Sequence, residues 1–267
     1  MTSTPTPPVR SLTPLERRLF SMYNNEINEN HCRRCFEQDS KIAAEYSGRR
    51  KRYPPQSFWS AGKNLSKNGG SIRVAFVGKN SWNDSESLKG NPKIGVIYDC
   101  RDMGPGMWHD KTPYWTALRT TTEGLKLTLD DVFITNLAKC NVYEEGCNSY
   151  TNITSWEYFD ACKDILAKEI QIVKPTHAIL LTGDNYDSLI RDLRFEKKPC
   201  EVSDCTSDSY KKDILVKDGS RRRPVCWWSR TIHRANGTNL HLLRTRHPQG
   251  APEHFVSEIV ERVKGTR

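Results

Sequence analysis

Four short apolar runs, at 72–78, 132–136, 177–183 and 239–245, each stop at a polar or glycine-rich cluster, and segments of helical period separate them. That alternation most constrains the fold. Strands that read as near-continuous apolar runs are buried on both faces, and strands separated by helices pair in parallel. The expected class is α/β, a single domain with a mostly parallel central sheet flanked by helices on both faces.

The helical segments carry their own signals. Thr13, Pro14 and Glu16 supply an N-cap, a first-turn proline and a capping-box carboxylate, opening a helix to about Asn28. Thr112 and Pro113 start a second that runs to about Lys126. Ser155 caps a third, on which Phe159, Cys162, Leu166, Ile170 and Val173 recur at helical spacing and form one apolar face before Pro175 ends it. "DNYDSLIRDL" reads as a short helix and "APEHFVSEIVERV" as the last. Residues 1–12 have nothing to bury and are expected to be a disordered tail. The domain then spans 13–267. Its first part, 13–70, holds the first helix, a CxxC pair and a basic loop; residues 195–235 break the rhythm and read as an insertion with a hairpin of its own.

Hydrophobic residues make up 36% of the 267, enough for one large core. Lys and Arg outnumber Asp and Glu by 41 to 32, and the net charge of +9 points to a polyanionic partner, most simply nucleic acid. No run of about 18 apolar residues occurs, and the N-terminus lacks the apolar stretch of a signal peptide. A soluble, cytoplasmic monomer with no membrane partner is expected. In a reducing compartment nine cysteines suit metal ligation or plain burial better than disulfides.

In a parallel sheet the four carboxyl ends share one edge, where open α/β sheets bind ligands. "GKNSW" follows the first strand, "TN" closes the second, "TGDN" the third and "RTRHPQG" the fourth. Asn80, Asn136 and His247 thereby become candidates for one pocket. Each residue type also serves in ordinary turns, so the convergence carries the reading.

These motifs, in this order, resemble those of the uracil-DNA glycosylase superfamily from about Cys32 onward. The segments "VFITNLAKC" and "CKDILAKEIQIVKPTHAILLTG" are similar to its iron-sulfur branch, whereas the first motif is of the asparagine type found in the mismatch-specific branch. The resemblance implies a three-layer α/β/α glycosylase fold. It also implies a monofunctional DNA glycosylase that flips a base out of DNA and hydrolyses its N-glycosidic bond, leaving an abasic site. His247 matches the histidine that donates a hydrogen bond to the pyrimidine O2, and Asn80 the group that holds the attacking water. Asn136 matches the asparagine that reads the base edge, Tyr114 stands where an aromatic stacks on the flipped base, and Gly78 belongs to the same base-binding motif.

Lys79, Arg244, Arg246, Arg221 and Arg222 are candidate phosphate contacts, and Gln249 stands where relatives insert a wedge into the duplex. Asn80 lacks the charge of the carboxylate many relatives carry, which points away from ordinary uracil and toward a modified base, such as a hypermodified pyrimidine in phage DNA removed as a defence.

The same resemblance implies a [4Fe-4S] cluster on Cys32, Cys35, Cys140 and Cys162. Twenty-one residues separate the last two, and 14 separate Cys147 from Cys162, which makes Cys147 the reserve ligand. A four-cysteine zinc site would use the same residues, and buried thiols without metal are the third alternative. A rival functional reading is a glycosylase-like fold that binds DNA with weak or no catalysis. A dinucleotide enzyme fits less well, because no glycine-rich phosphate fingerprint follows the first strand.

Overall fold

The structure is a computed structural model that describes residues 11–28, 50–52, 55–66, 72–80, 97–139, 142–144, 156–183, 202–205, 214–215, 221–222, 226–234 and 236–266. In chain order the elements are α1 (Pro14–Glu26), β1 (Arg50–Arg52), β2 (Ser60–Ala61), β3 (Val74–Asn80), α2 (Met103–Met107), α3 (Pro113–Gly124), β4 (Val132–Ala138) and β5 (Val142–Glu144). They continue with α4 (Trp156–Val173), β6 (His177–Leu180), β7 (Val202–Cys205), β8 (Ile214–Leu215), β9 (Arg221–Arg222), β10 (Cys226–His233), β11 (Asn239–Thr245) and α5 (Phe255–Gly265).

Seven strands form one sheet in the order β2-β4-β3-β6-β11-β10-β7. Its centre is the four apolar runs: β4, β3, β6 and β11 are mutually parallel. Antiparallel strands extend it, the two-residue β2 on one edge and the eight-residue β10 then β7 on the other. The chain is therefore an α/β protein on a mixed sheet.

The expectation for residues 195–235 is corrected here. β10 pairs along its length with β11 and β7 pairs with β10, so this stretch builds the edge of the main sheet. Within this stretch β8 and β9 form a two-stranded pair apart from the main sheet, as β1 and β5 do elsewhere. The reversal between β10 and β11 depends on Gly237 at φ +78°, a left-handed conformation that glycine adopts without strain, and on Asn236 Oδ1 accepting from Thr238 N and Oγ1.

Side chains alternate across each strand, so the sheet has two cores. On one face Leu15, Leu19 and Tyr23 of α1 and Leu166 and Ile170 of α4 pack with Ala75, Val77 and Phe133. On the other, Trp115 and Leu118 of α3 and Ile259 and Val263 of α5 pack with Val74, Phe76 and Ile134. The α1 start is built as its sequence signals: Glu16 N donates to Thr13 Oγ1 at 3.2 Å and Thr13 N to Glu16 Oε2 at 2.8 Å. No helix among the described residues is long and apolar enough to cross a membrane. Residues 1–10 of the expected tail, the Cys32–Cys35 pair and the helix at 184–193 lie outside the described residues.

Candidate functional site at the carboxyl edge

Parallel pairing of β3 with β4 sets Gly78 beside Asn136 and Asn80 beside Ala138. The Asn136 amide lies over residue 78, where a Cβ would collide with Asn136 Oδ1 and stand 3.1 Å from Tyr114 Oη. Glycine is what lets the two polar side chains meet there. Tyr114 is the second residue of α3, started by Pro113 in the first turn. Its ring is fixed from behind by Trp59, which meets it edge-on (6.4 Å, 78°) and stacks on Trp115 (5.6 Å, 23°).

His247, two residues past β11, completes the group. Its ring is near parallel to that of Tyr114, with centroids 6.3 Å apart and planes at 25°. Two strands, the segment after a third strand and one helix start thus deliver Gly78, Asn136, His247 and Tyr114 to one place.

The protonation states follow from the surroundings. The Gln249 backbone N–H donates to His247 Nδ1 at 3.2 Å, which leaves the ring proton on Nε2. Burial pushes the His247 pKa down to about 4, helped by the positive charge of Lys79. At neutral pH the imidazole is an uncharged Nε2–H donor. The Tyr114 hydroxyl is buried without a hydrogen-bond partner, and burial raises its pKa so that it keeps its proton. A buried polar group left unpaired costs about 1–3 kcal/mol, a cost that a hydrogen-bonding ligand would offset. Asn136 itself is only 3% exposed.

Behind Asn136, on the opposite face of β4, lies a charged network. Lys139 Nζ donates to Glu169 Oε1 (2.6 Å), Thr135 Oγ1 (2.7 Å) and the Asn136 carbonyl (2.9 Å). Thr135 and Tyr23 hydroxyls also donate to Glu169. Lys139 and Glu169 are 2% and 0% exposed. The network ties α1, α4 and the end of β4 together and holds the backbone of Asn136 in place.

The other sequence candidates fall in different places. Arg244 is corrected: it is 1% exposed on a strand between β6 and β10, so it belongs to the protein interior and offers no surface contact to a phosphate. The alternation of β11 explains this, because 244 shares the face of Leu240 and Leu242, both in the core beside α1 and α4. Arg246 is half-buried and Gln249 exposed, and the main chain of Gln249 sets the His247 tautomer. Arg221 and Arg222 form β9, outside the main sheet, and their side chains lie outside the described residues, as does that of Asn80.

Of the cysteine set, Cys32, Cys35, Cys140 and Cys147 lie outside the described residues; Cys162 is 4% exposed in the core on α4. Among the described residues no group of three or more His, Cys, Asp or Glu could hold a metal ion. Cys100 is buried and its thiol is pushed up to about 12, mainly by desolvation, so it is protonated and unreactive at neutral pH. Compared with known proteins, the chain matches no protein-family model and shows no significant similarity to a curated protein.

Sequence reasoning misses Trp59, Tyr23, Lys139 and Glu169. A signal for the last two existed. Glu169 is seven residues after Cys162 on the apolar face of α4, and Lys139 directly follows a buried strand, so two opposite charges occupy buried positions that only each other can neutralise.

Proposed function

We propose that the protein is a monofunctional DNA glycosylase of the uracil-DNA glycosylase type, with the corresponding three-layer α/β/α fold. The observation that carries this reading is the convergence at one sheet edge of an uncharged Nε2–H imidazole, a near-parallel tyrosine ring and an amide held over a glycine. A flipped base needs those three things: a π-surface, a group with a donor and an acceptor in one plane, and a donor for the charge that builds as it departs.

In this mechanism the extruded base packs against Tyr114 and is read by Asn136. The attacking water, held by the Asn80 amide oxygen, bonds to the sugar C1′. The glycosidic bond breaks, its electron pair stays on the base, and the water proton passes to solvent. His247 Nε2–H donates to the base oxygen as negative charge develops, a contact of the kind worth about 10²–10³ in rate. A neutral histidine serves here, because the donor must not lose its proton to the leaving base. Lys79 and Arg246, beside the site, are suited to the flanking phosphates.

The substrate class is a uracil-like or hypermodified pyrimidine, the neutral Asn80 favouring the latter. A [4Fe-4S] cluster on Cys32, Cys35, Cys140 and Cys162, with Cys147 in reserve, is part of the same proposal. The deep burial of Cys162 suits a shielded thiolate ligand, and the cluster would tie segments together without entering the hydrolysis. Absorbance near about 400 nm that is lost with Cys162→Ser checks it.

The test of the site is a panel of duplex and single-stranded oligonucleotides carrying uracil, hypoxanthine or hypermodified cytosine, followed by alkaline cleavage of abasic sites. Wild type yields strand breaks, and Asn80→Ala and His247→Ala lose most of them. Full activity in both variants would remove the assignment.

A further inference from the structure

At the opposite ends of the same strands lies a cavity of about 280 Å³. Its wall is formed by His177 at the start of β6, Arg230 and Thr231 of β10, His241 of β11, and Arg262 and Thr266 at the end of α5. Four lining side chains among the described residues are basic and none is acidic. Six residues of extended chain at ~3.3 Å each put His241 on the order of 20 Å from His247, so this is a separate site.

Several of the cavity's donors are held in place. The His177 and His241 rings stack at 5.0 Å and 27°. His241 Nδ1 is bonded to Thr231 Oγ1 at 3.0 Å, and His177 to the hydroxyls of Thr176 and Thr266 at 2.9 Å each. Arg262 Nε donates to Glu258 Oε1 at 3.2 Å, which anchors its guanidinium. The last turn of α5 presents carbonyls that would repel an anion, but Thr266 Oγ1 covers those of Arg262 and Val263. Burial, with a smaller contribution from His233, holds His241 below its ordinary pKa, so at neutral pH its ring is an uncharged hydrogen-bonding group beside the Arg230 and Arg262 guanidinium groups.

We propose that this cavity binds the phosphate of a small phosphomonoester, with Arg230, Arg262 and His241 as the groups that hold it. Arginine forks match phosphate oxygens in pairs, and with the Thr231 hydroxyl donating to His241 Nδ1 the ring presents its Nε2–H as a neutral donor. The volume lies just under the ~300–1,000 Å³ of sites for drug-sized ligands, so the substituent is of sugar size. The proposal does not depend on the glycosylase reading.

The experiment is a titration of the full chain with inorganic phosphate and with ribose 5-phosphate, followed through the histidine ring resonances, with duplex DNA as a separate arm. Saturable movement of the His177 and His241 signals is expected with ribose 5-phosphate, with affinity at least about tenfold lower in Arg230→Gln and in Arg262→Gln, the loss of one charge-assisted contact. His247→Ala leaves the binding unchanged. Absence of saturable shifts in wild type, wild-type affinity in both arginine variants, or shifts caused by DNA alone would overturn it. Should either arginine variant fail to fold, the wild-type shifts and the His241→Asn variant decide.

Discussion

Thr135 and Asn136 are neighbours on β4 and point to opposite faces of the sheet, and the polar groups they meet differ in kind. On the Thr135 side a full ion pair is buried, and Lys139, Glu169, Tyr23 and Thr135 bond to one another. On the Asn136 side the Tyr114 hydroxyl has no partner and the imidazole has been made neutral by burial. Buried polar groups in proteins are nearly always paired, so a closed network reads as support and an unpaired hydroxyl as a place where something binds. Asn136 joins the two, its carbonyl held by Lys139 and its amide turned toward the pocket.

The largest effect is expected on the closed side. Lys139→Met leaves the Glu169 carboxylate buried without its cation and should cost about 3–5 kcal/mol in urea unfolding, whereas the double variant Lys139→Met, Glu169→Leu should recover most of that. A small loss in the single variant would mean that the network is not the support described. Next is Gly78→Ala. The new Cβ must displace the Asn136 amide, for about 1–3 kcal/mol of stability and a larger fall in base removal.

Tyr114→Phe deletes only the unpaired hydroxyl, so stability should hold or rise by up to about 1 kcal/mol while binding of the preferred base weakens. Loss of stability instead would show a structural partner. The mildest test is a pH titration of His247 by NMR. Its folded pKa lies below the unfolded one, so the unfolded chain binds the extra proton first: stability from this group is complete above about pH 6.5 and falls as pH drops toward about 4. A ring that titrates near pH 6.5 would contradict the neutral-donor picture.

Much of this was legible before any coordinates. The four parallel strands follow from apolar runs bounded by polar clusters, and the capping box and first-turn prolines mark where α1 and α3 begin. The shared edge of parallel strands brings Asn136 and His247 together as the pattern indicates, whereas Gly78 and Tyr114 entered only through the family resemblance and the Asn80 side chain lies outside the described residues. The outer sheet was missed for a physical reason. β10, "CWWSRTIH", carries Arg230 and Ser229 amid its apolar residues and lacks a clean period of two, because its stability comes from pairing with β11. Asn236-Gly237 before β11 was the available hairpin cue. The interior position of Arg244 could not be seen from charge alone, since only the neighbours on both sides of β11 bury it.

The central claim is that the unpaired side of β4 removes a base, and the most direct measurement is free-base release detected by mass spectrometry under single-turnover conditions. Wild type should release an intact base from at least one of uracil, hypoxanthine or hypermodified-cytosine DNA, and His247→Ala should slow that release by about 10²–10³ without a change in melting temperature. Tight DNA binding with no base released from any of these substrates would contradict the account and leave a DNA-binding protein on this fold.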